Sequence, residues 1–140
     1  MPPALSPRIC RILDILPIEP TSRVLEIGCG PGVAARAIAE QLTTGFVLAV
    51  DRSPTAIAQL ERTGAALVAS GRLAGRVSSA EDLVLAPEDA PFDLAFANRV
   101  GALDGRHPER EAGALRAISR VLVPGGLLYV DGRPCSCRPV

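Results

Sequence analysis

The sequence predicts one doubly wound α/β domain, in which a parallel β-sheet carries helices on both faces. The chain has 140 residues, of which 48% are hydrophobic and 21% charged, enough for one core and too few for two. Short apolar runs that are typical of strands alternate with alanine-rich segments of helical spacing, without internal repeats. Because alternating strands and helices build parallel sheets, we expect residues 1–140 to form a single domain.

The first half of the chain predicts two strands, each followed by a helix. Apolar residues recur at helical spacing from Leu5 to the prolines at 17 and 20, which end that helix. Ser53 is a typical N-cap, and Pro54 fits the first helical position after it. The predicted elements are a helix over 5–16, a strand over 23–27, a helix over 33–42, a strand over 46–50 and a helix over 54–69.

The second half predicts three more strands and one helix. A weak strand is expected at 76–79, a stronger one at 92–97, a helix at 108–122 and a fifth strand at 126–130. The turn formed by Pro124, Gly125 and Gly126 announces this last strand. We expect the sheet order 3-2-1-4-5.

The charge balance favours a small partner. Fifteen basic residues, all of them arginine, balance fifteen acidic ones, and the isoelectric point is about 6.6, so no strong field attracts nucleic acid or anionic lipid. No apolar run approaches the ~20 residues of a membrane helix, and the N-terminus lacks the pattern of a secretory signal. We therefore expect a cytoplasmic protein that contacts neither nucleic acid nor membrane. The arginine bias indicates a GC-rich bacterial genome.

The cysteines do not form a recognisable metal or redox motif. They lie at positions 10, 29, 135 and 137, and the spacing of the last two matches neither a redox CxxC nor a zinc knuckle. We expect structural or incidental thiols and no metal.

The glycine-rich turn after the first strand is the strongest functional signal. Gly28, Gly30 and Gly32 alternate there, which allows a sharp turn and a close approach of ligand to backbone. A dinucleotide fingerprint needs glycine where the chain has Val33, and Pro31 lacks the N–H that would bind a pyrophosphate. The turn therefore favours a ligand without phosphates.

An acidic residue follows the second strand at the position that recognises ribose. Asp51 lies 23 residues after Gly28, where a carboxylate can accept hydrogen bonds from both ribose hydroxyls. A nucleoside is implied. The alternative is a charge that stabilises the start of the next helix, although Ser53 already serves as its cap.

With these features, the chain resembles a class I S-adenosylmethionine-dependent methyltransferase of the small-molecule type. The resemblance covers residues 8–132 and consists of motifs in the family's order. They are EIGCGPG at 26–32, AVDRS at 49–53, SAEDL at 79–83, FDLAFAN at 92–98 and LVPGGLL at 122–128.

The resemblance implies S-adenosyl-L-methionine as cofactor and gives each motif a role. The backbone of Gly28, Cys29 and Gly30 would lie under the methionine and ribose, and the helix after Gly32 would favour the methionine carboxylate. Glu26 would place negative charge near the ammonium and sulfonium. The remaining cofactor-binding residues are Asp51 at the ribose, Arg52 bordering the adenine, Ala80 with Glu81 or Asp82 at the adenine edge, and Asn98 at the end of the strand that faces the methyl group. A solvated loop is the alternative for Glu81 and Asp82.

Methyl transfer depends mainly on positioning, so no catalytic residue is required. The segment after the fourth strand lacks the Asn-Pro-Pro-aromatic pattern of enzymes that act on nucleic acid bases or glutamine, which favours a small oxygen or nitrogen acceptor. His107 is a candidate general base for a hydroxyl, and the alternative is a helix-start residue. Arg99 and Arg106 are candidates for binding an acidic substrate.

The chain ends soon after the predicted fifth strand, whereas the family continues into a further helix and a final strand pair. Residues 127–130 would then form an unpaired apolar edge. A second copy of the chain, another partner or the tail over 133–140 would cover it, and we expect a homodimer. The alternatives to an active methyltransferase are a catalytically silent cofactor-binding module, a subunit of a larger methyltransferase assembly and an NAD-dependent oxidoreductase, the last disfavoured by Pro31 and Val33.

Overall fold

The computed structural model describes residues 5–135 and contains a six-stranded sheet of order β3-β2-β1-β4-β5-β6. The first five strands run parallel to one another, and β6 is antiparallel to β5. The strands are β1 (Arg23–Ile27), β2 (Phe46–Asp51), β3 (Leu73–Val77), β4 (Phe92–Ala97), β5 (Leu122–Val130) and β6 (Arg133–Cys135). The helices are α1 (Pro7–Ile15), α2 (Val33–Gln41), α3 (Pro54–Thr63), α4 (Ala65–Ala69) and α5 (Pro108–Val121). The predicted doubly wound sheet is confirmed.

The core lies on both faces of the sheet, because successive strand residues point to opposite sides. Val24 and Val47 pack with α1, α2, α3 and α4 on one face. Leu25 and Leu48 pack with α5 on the other. β1 and β2 are therefore almost completely buried, as the continuous apolar runs of a parallel sheet require.

Three predicted boundaries are wrong. β3 is Leu73–Val77 and not 76–79, because the buried Leu73 pairs with Val47 at the start of β2. The helix expected over 54–69 is divided at Gly64, where a Cβ would lie 2.9 Å from Leu73 Cδ2. β5 begins at Leu122, directly after α5, and not at 126.

The predicted unpaired edge of β5 is also wrong. β6 covers it at 128–130, where Val130 pairs with Arg133 and Leu128 with Cys135. Asp131 and Gly132 connect the strands with φ angles of +49° and +79°, as in a type I′ hairpin turn. Within the described part of the chain, the new edge consists of three exposed residues and contains Pro134, which discourages further pairing. The basis for expecting a homodimer through β5 is therefore lost.

Within residues 5–135, none of the helices has the length and apolar character needed to cross a membrane.

Candidate functional site

Two adjoining cavities lie at the carboxyl ends of the central strands, on either side of Gly28. The first, about 320 Å³, is lined by residues after β1, β2, β3 and β4. The second, about 270 Å³, lies between the glycine-rich turn and α1. They occur where β1 is flanked by β2 and β4, the point at which the chain changes direction across the sheet and at which such folds bind ligands.

The three glycines of the turn have different roles. All have positive φ, which side chains rarely adopt. A Cβ at Gly28 would lie 2.6 Å from Val100 Cγ2, and one at Gly32 would lie 2.3 Å from Leu60 Cδ1, so packing requires glycine at both. A Cβ at Gly30 would meet nothing within 4 Å. Gly30 lines the second cavity, whereas Gly32 is buried at the start of α2 and lines neither.

Asp51 connects the end of β2 to the glycine-rich turn. Its Oδ2 accepts a hydrogen bond of 2.8 Å from the backbone N–H of Gly30, and its Oδ1 accepts one of 2.9 Å from Ser53. Ser53 Oγ caps α3 by accepting from Ala56 N–H. These two backbone hydrogen bonds orient the Asp51 carboxylate. Because a carboxylate has about four lone-pair positions, Asp51 can still accept hydrogen bonds from hydroxyl groups in the first cavity.

Glu26 is a buried carboxyl group with an unpaired oxygen. It is 5% exposed, lines the second cavity, and its Oε1 has no hydrogen-bond partner among the residues that the structure describes. Burial raises its pKa from 4.5 to about 8, the Ala35 backbone N–H lowers it in part, and the charge of Asp51 raises it further. Buried polar groups nearly always have partners, so this oxygen is available to a ligand.

Cys29, between these two acids, is an unreactive thiol. Its Sγ donates to the carbonyl of Gly30 at 3.3 Å. Burial and the charges of Glu26 and Asp51 raise its pKa to about 12, so the nucleophilic thiolate does not form near neutral pH. Cys10 and Cys135 are exposed, and Cys137 lies outside the described residues.

Glu81 and Asp82, the alternatives that the sequence offered at the adenine edge, differ in the structure: Glu81 lines the first cavity and Asp82 does not. Arg52, Ala80 and Glu81 line this cavity. Asp82 lines neither cavity: its Oδ2 accepts from Ser79 Oγ at 2.9 Å, and its N–H donates back to Ser79 Oγ. Ser78, Val100 and Gly101 also line the first cavity and were missed by sequence reasoning. Only the position of Val100 just after β4 pointed toward the site.

Asn98 and His107 occupy different cavities. Asn98, the first residue after β4, lines the second cavity. His107 precedes α5 and lines the first, and its Nδ1 lies 3.5 Å from Glu109 Oε1. Its side chain does not cap α5 and is 48% exposed. It is therefore both a helix-start residue and accessible from the cavity.

Comparison with known proteins identifies a matching family, related sequences and similar folds. A family model described as "Methyltransferase domain" matches residues 24–126. A trans-aconitate 2-methyltransferase of Methylobacterium nodulans is 30% identical over 120 residues, covering 86% of this chain and 42% of the relative. The chain therefore spans less than half of that relative's length.

Solved structures show the same fold. The [4+2]-cyclase SpnF is 26% identical with a TM-score of 0.69, over 87% of this chain and 42% of its own. A methyltransferase of Thiobacillus denitrificans in complex with S-adenosylhomocysteine is 22% identical with a TM-score of 0.68, over 90% and 48%.

Proposed function

Because the chain belongs to the methyltransferase-domain family, among the class I S-adenosylmethionine-dependent methyltransferases, we propose that it binds S-adenosylmethionine across the two cavities. In this proposal residues 1–140 act as one domain that transfers the methyl group to a small-molecule acceptor. The observation that carries the proposal is the buried Glu26 carboxyl group, which has an unpaired oxygen in a cavity beside an open glycine turn.

The residues present fit this cofactor. Glu26 offers a buried carboxyl group to the methionine ammonium in the second cavity, and pairing with the ammonium would favour its ionised form. The space above Gly30 would admit the ligand against the backbone. In the first cavity, Asp51 would accept hydrogen bonds from the ribose hydroxyls, and Arg52 with Ala80 and Glu81 would border the adenine. Asp82 has no part in this proposal, since it bonds to Ser79.

The chain's own contribution to the reaction is mainly orientation. When bound, S-adenosylmethionine supplies a methyl group activated on a sulfonium. Transfer to an acceptor needs the nucleophile in line with the breaking bond, and this positioning accounts for much of the rate. Asn98, the first residue after β4, lines the second cavity, in which the methionine part would lie. For a hydroxyl acceptor, His107, which lines the first cavity, is the candidate general base.

Two observations support a small-molecule acceptor. The chain has no net charge, which gives it no general attraction to nucleic acid. A relative of 30% identity is named for methyl transfer to trans-aconitate. The acceptor atom in this proposal is oxygen or nitrogen.

Calorimetric titration of the full chain with S-adenosylmethionine, S-adenosylhomocysteine and NAD tests the proposal. We expect the first two to bind and NAD not to bind. Asp51→Ala should weaken binding by about 1.5 to 3 kcal/mol, the usual contribution of a hydrogen bond to a charged group. Asp82→Ala is the matched control, because this acid lies next to the site without lining it, and should bind like wild type.

Formation of S-adenosylhomocysteine in the presence of small hydroxyl, amine and carboxylate acceptors tests the transfer step. Binding without turnover for every acceptor would favour a silent cofactor-binding module. Equal cofactor affinity of wild type and Asp51→Ala would refute the role of Asp51 in binding the ribose hydroxyls.

A further inference from the structure

A third cavity, of about 170 Å³, lies beside the two cavities of the proposed cofactor site. One wall comes from α1 and the other from the segments that follow β4 and β5. It shares Arg8, Ile12 and Asn98 with the second cavity and Arg99 with the first. Because the third cavity adjoins both of the others, it lies beside the place where the adenosine and methionine parts of the cofactor would join.

Positive charge predominates in this third cavity. Its lining contains Arg8, Arg11 and Arg99, and Asp131 is the one acid in it. Asp131 Oδ1 already accepts a hydrogen bond of 2.9 Å from the backbone N–H of Arg99. Among residues 5–135, no hydrogen bond or ion pair engages the guanidinium groups of the three arginines. Their charges are therefore available to a ligand.

Arg106, the other arginine that sequence reasoning considered for an acidic substrate, differs from Arg99. Its guanidinium bonds to Asp104, with Nε 2.8 Å from Oδ2, and also donates to the carbonyl of Arg99. Arg99 itself has a φ of +56°, a conformation that costs a non-glycine residue energy and that recurs at ligand-binding and active sites. Arg106 and Asp131 thus hold the backbone of Arg99 from both sides, and the guanidinium of Arg99 stays unbound.

Apart from Asn98 and Gly132, the rest of the described lining of the third cavity is apolar. Ile12 and Ile15 line it from α1, and Ile15 is 44% exposed although it is a large aliphatic residue. A ligand that fits must combine a hydrocarbon part with at least one anionic group. The planar guanidinium matches the two oxygens of a carboxylate in a bidentate pair.

We propose that this third cavity binds the methyl acceptor and that the acceptor is a small organic acid, held by its carboxylate on Arg8, Arg11 and Arg99. This inference rests on the proposed function and names its substrate class. The arginines are positioning residues here: they orient the acid and take no part in breaking or forming bonds.

Calorimetry of the full chain with saturating S-adenosylhomocysteine tests the proposal. The probes are succinate, tricarballylate and phenylpropionate, with their neutral amides and inorganic phosphate as comparisons. We expect at least one carboxylate to bind, its amide not to bind, and the affinity to fall as salt is added. Arg11→Gln and Arg99→Gln should each lower the affinity for the carboxylate by about tenfold or more. Arg116→Gln removes an exposed arginine of α5 outside the cavities and should change the affinity by less than about twofold.

The outcomes separate this inference from the function on which it rests. If S-adenosylhomocysteine binds but none of the carboxylates does, or if the three variants bind the acid alike, the acid-binding site is refuted and the cofactor site stands. Tighter binding of phosphate than of every carboxylate would also refute the substrate class. If S-adenosylhomocysteine itself fails to bind, both proposals fall. Thermal unfolding of each variant checks that the loss of affinity does not come from a loss of fold.

Discussion

Replacing Glu26 by glutamine should stabilise the ligand-free protein at high pH and weaken its binding of cofactor. The pKa of Glu26 rises from 4.5 to about 8 in the folded state. Between these values the folded chain holds a proton that the unfolded chain has lost, so the contribution of Glu26 to stability is full below pH 4.5 and is lost as the pH rises to 8. Glutamine is neutral throughout and should remove this dependence.

The magnitude follows from linkage. Each pH unit between the two pKa values corresponds to about 1.4 kcal/mol, so the free energy of unfolding of wild type should fall by up to about 5 kcal/mol relative to Glu26→Gln between pH 4.5 and 8. Urea unfolding of both proteins at pH 5, 7 and 9 measures this difference, and groups common to both proteins cancel. Glu40→Gln is the control, because Glu40 is exposed on α2 and should show no such trend.

Bound cofactor should stabilise wild type more than Glu26→Gln. The methionine ammonium would pair with the Glu26 carboxylate, and we expect Glu26→Gln to weaken S-adenosylhomocysteine by about 1.5 to 3 kcal/mol at pH 8. Parallel stability curves for wild type and variant from pH 5 to 9 would refute the buried, unpaired state of Glu26. Unchanged cofactor affinity would refute its role toward the ammonium.

Three further changes test the turn and its cysteine. Gly30→Ala should lose cofactor binding, and its stability should fall only by the strain of the positive φ, about 1 to 2 kcal/mol. Gly71→Ala is the control, because Gly71 has a φ of +80° and equally open surroundings. It should show the same loss in thermal unfolding without affecting binding. Gly32→Ala should destabilise by more than about 3 kcal/mol, because its Cβ would overlap the buried Leu60, and a smaller loss would contradict the close contact between Gly32 and Leu60. Mass spectrometry after iodoacetamide treatment at pH 8 should find Cys10 alkylated and Cys29 intact; equal modification would argue against the raised pKa of Cys29.

Strands in the middle of the sheet were predictable because their local pattern and their tertiary environment agree. β1 and β4 have the predicted limits, since both are apolar runs buried on two faces. β3 was misplaced by three residues at its start, because Gly75 and Arg76 interrupt its hydrophobic pattern and its register is fixed by pairing with β2. Such pairing is a long-range contact that no local pattern contains.

The β5–β6 hairpin has a local signal in the sequence. Asp131-Gly132 between two short apolar or extended runs is the dipeptide that type I′ hairpins favour. Using it would have replaced the expected open edge by a paired one. The choice between Glu81 and Asp82 had no such signal, because it depends on the hydrogen bond that Ser79 makes with Asp82.

The same hairpin links the edge of the sheet to the proposed acid-binding cavity. Asp131, in the turn, accepts the N–H of Arg99 through its side chain and donates its own N–H to the carbonyl of Ala97 at 2.9 Å. These two bonds hold the chain after β4 where it leaves the sheet, and they support the positive φ of Arg99. Arg8 and Arg99 are distant in sequence, and α1 reaches the cavity only by packing on the sheet. The arginines therefore come together through tertiary structure, which is why the sequence indicated an acidic acceptor through Arg99 and Arg106 and gave no sign of Arg8, Arg11 or the cavity.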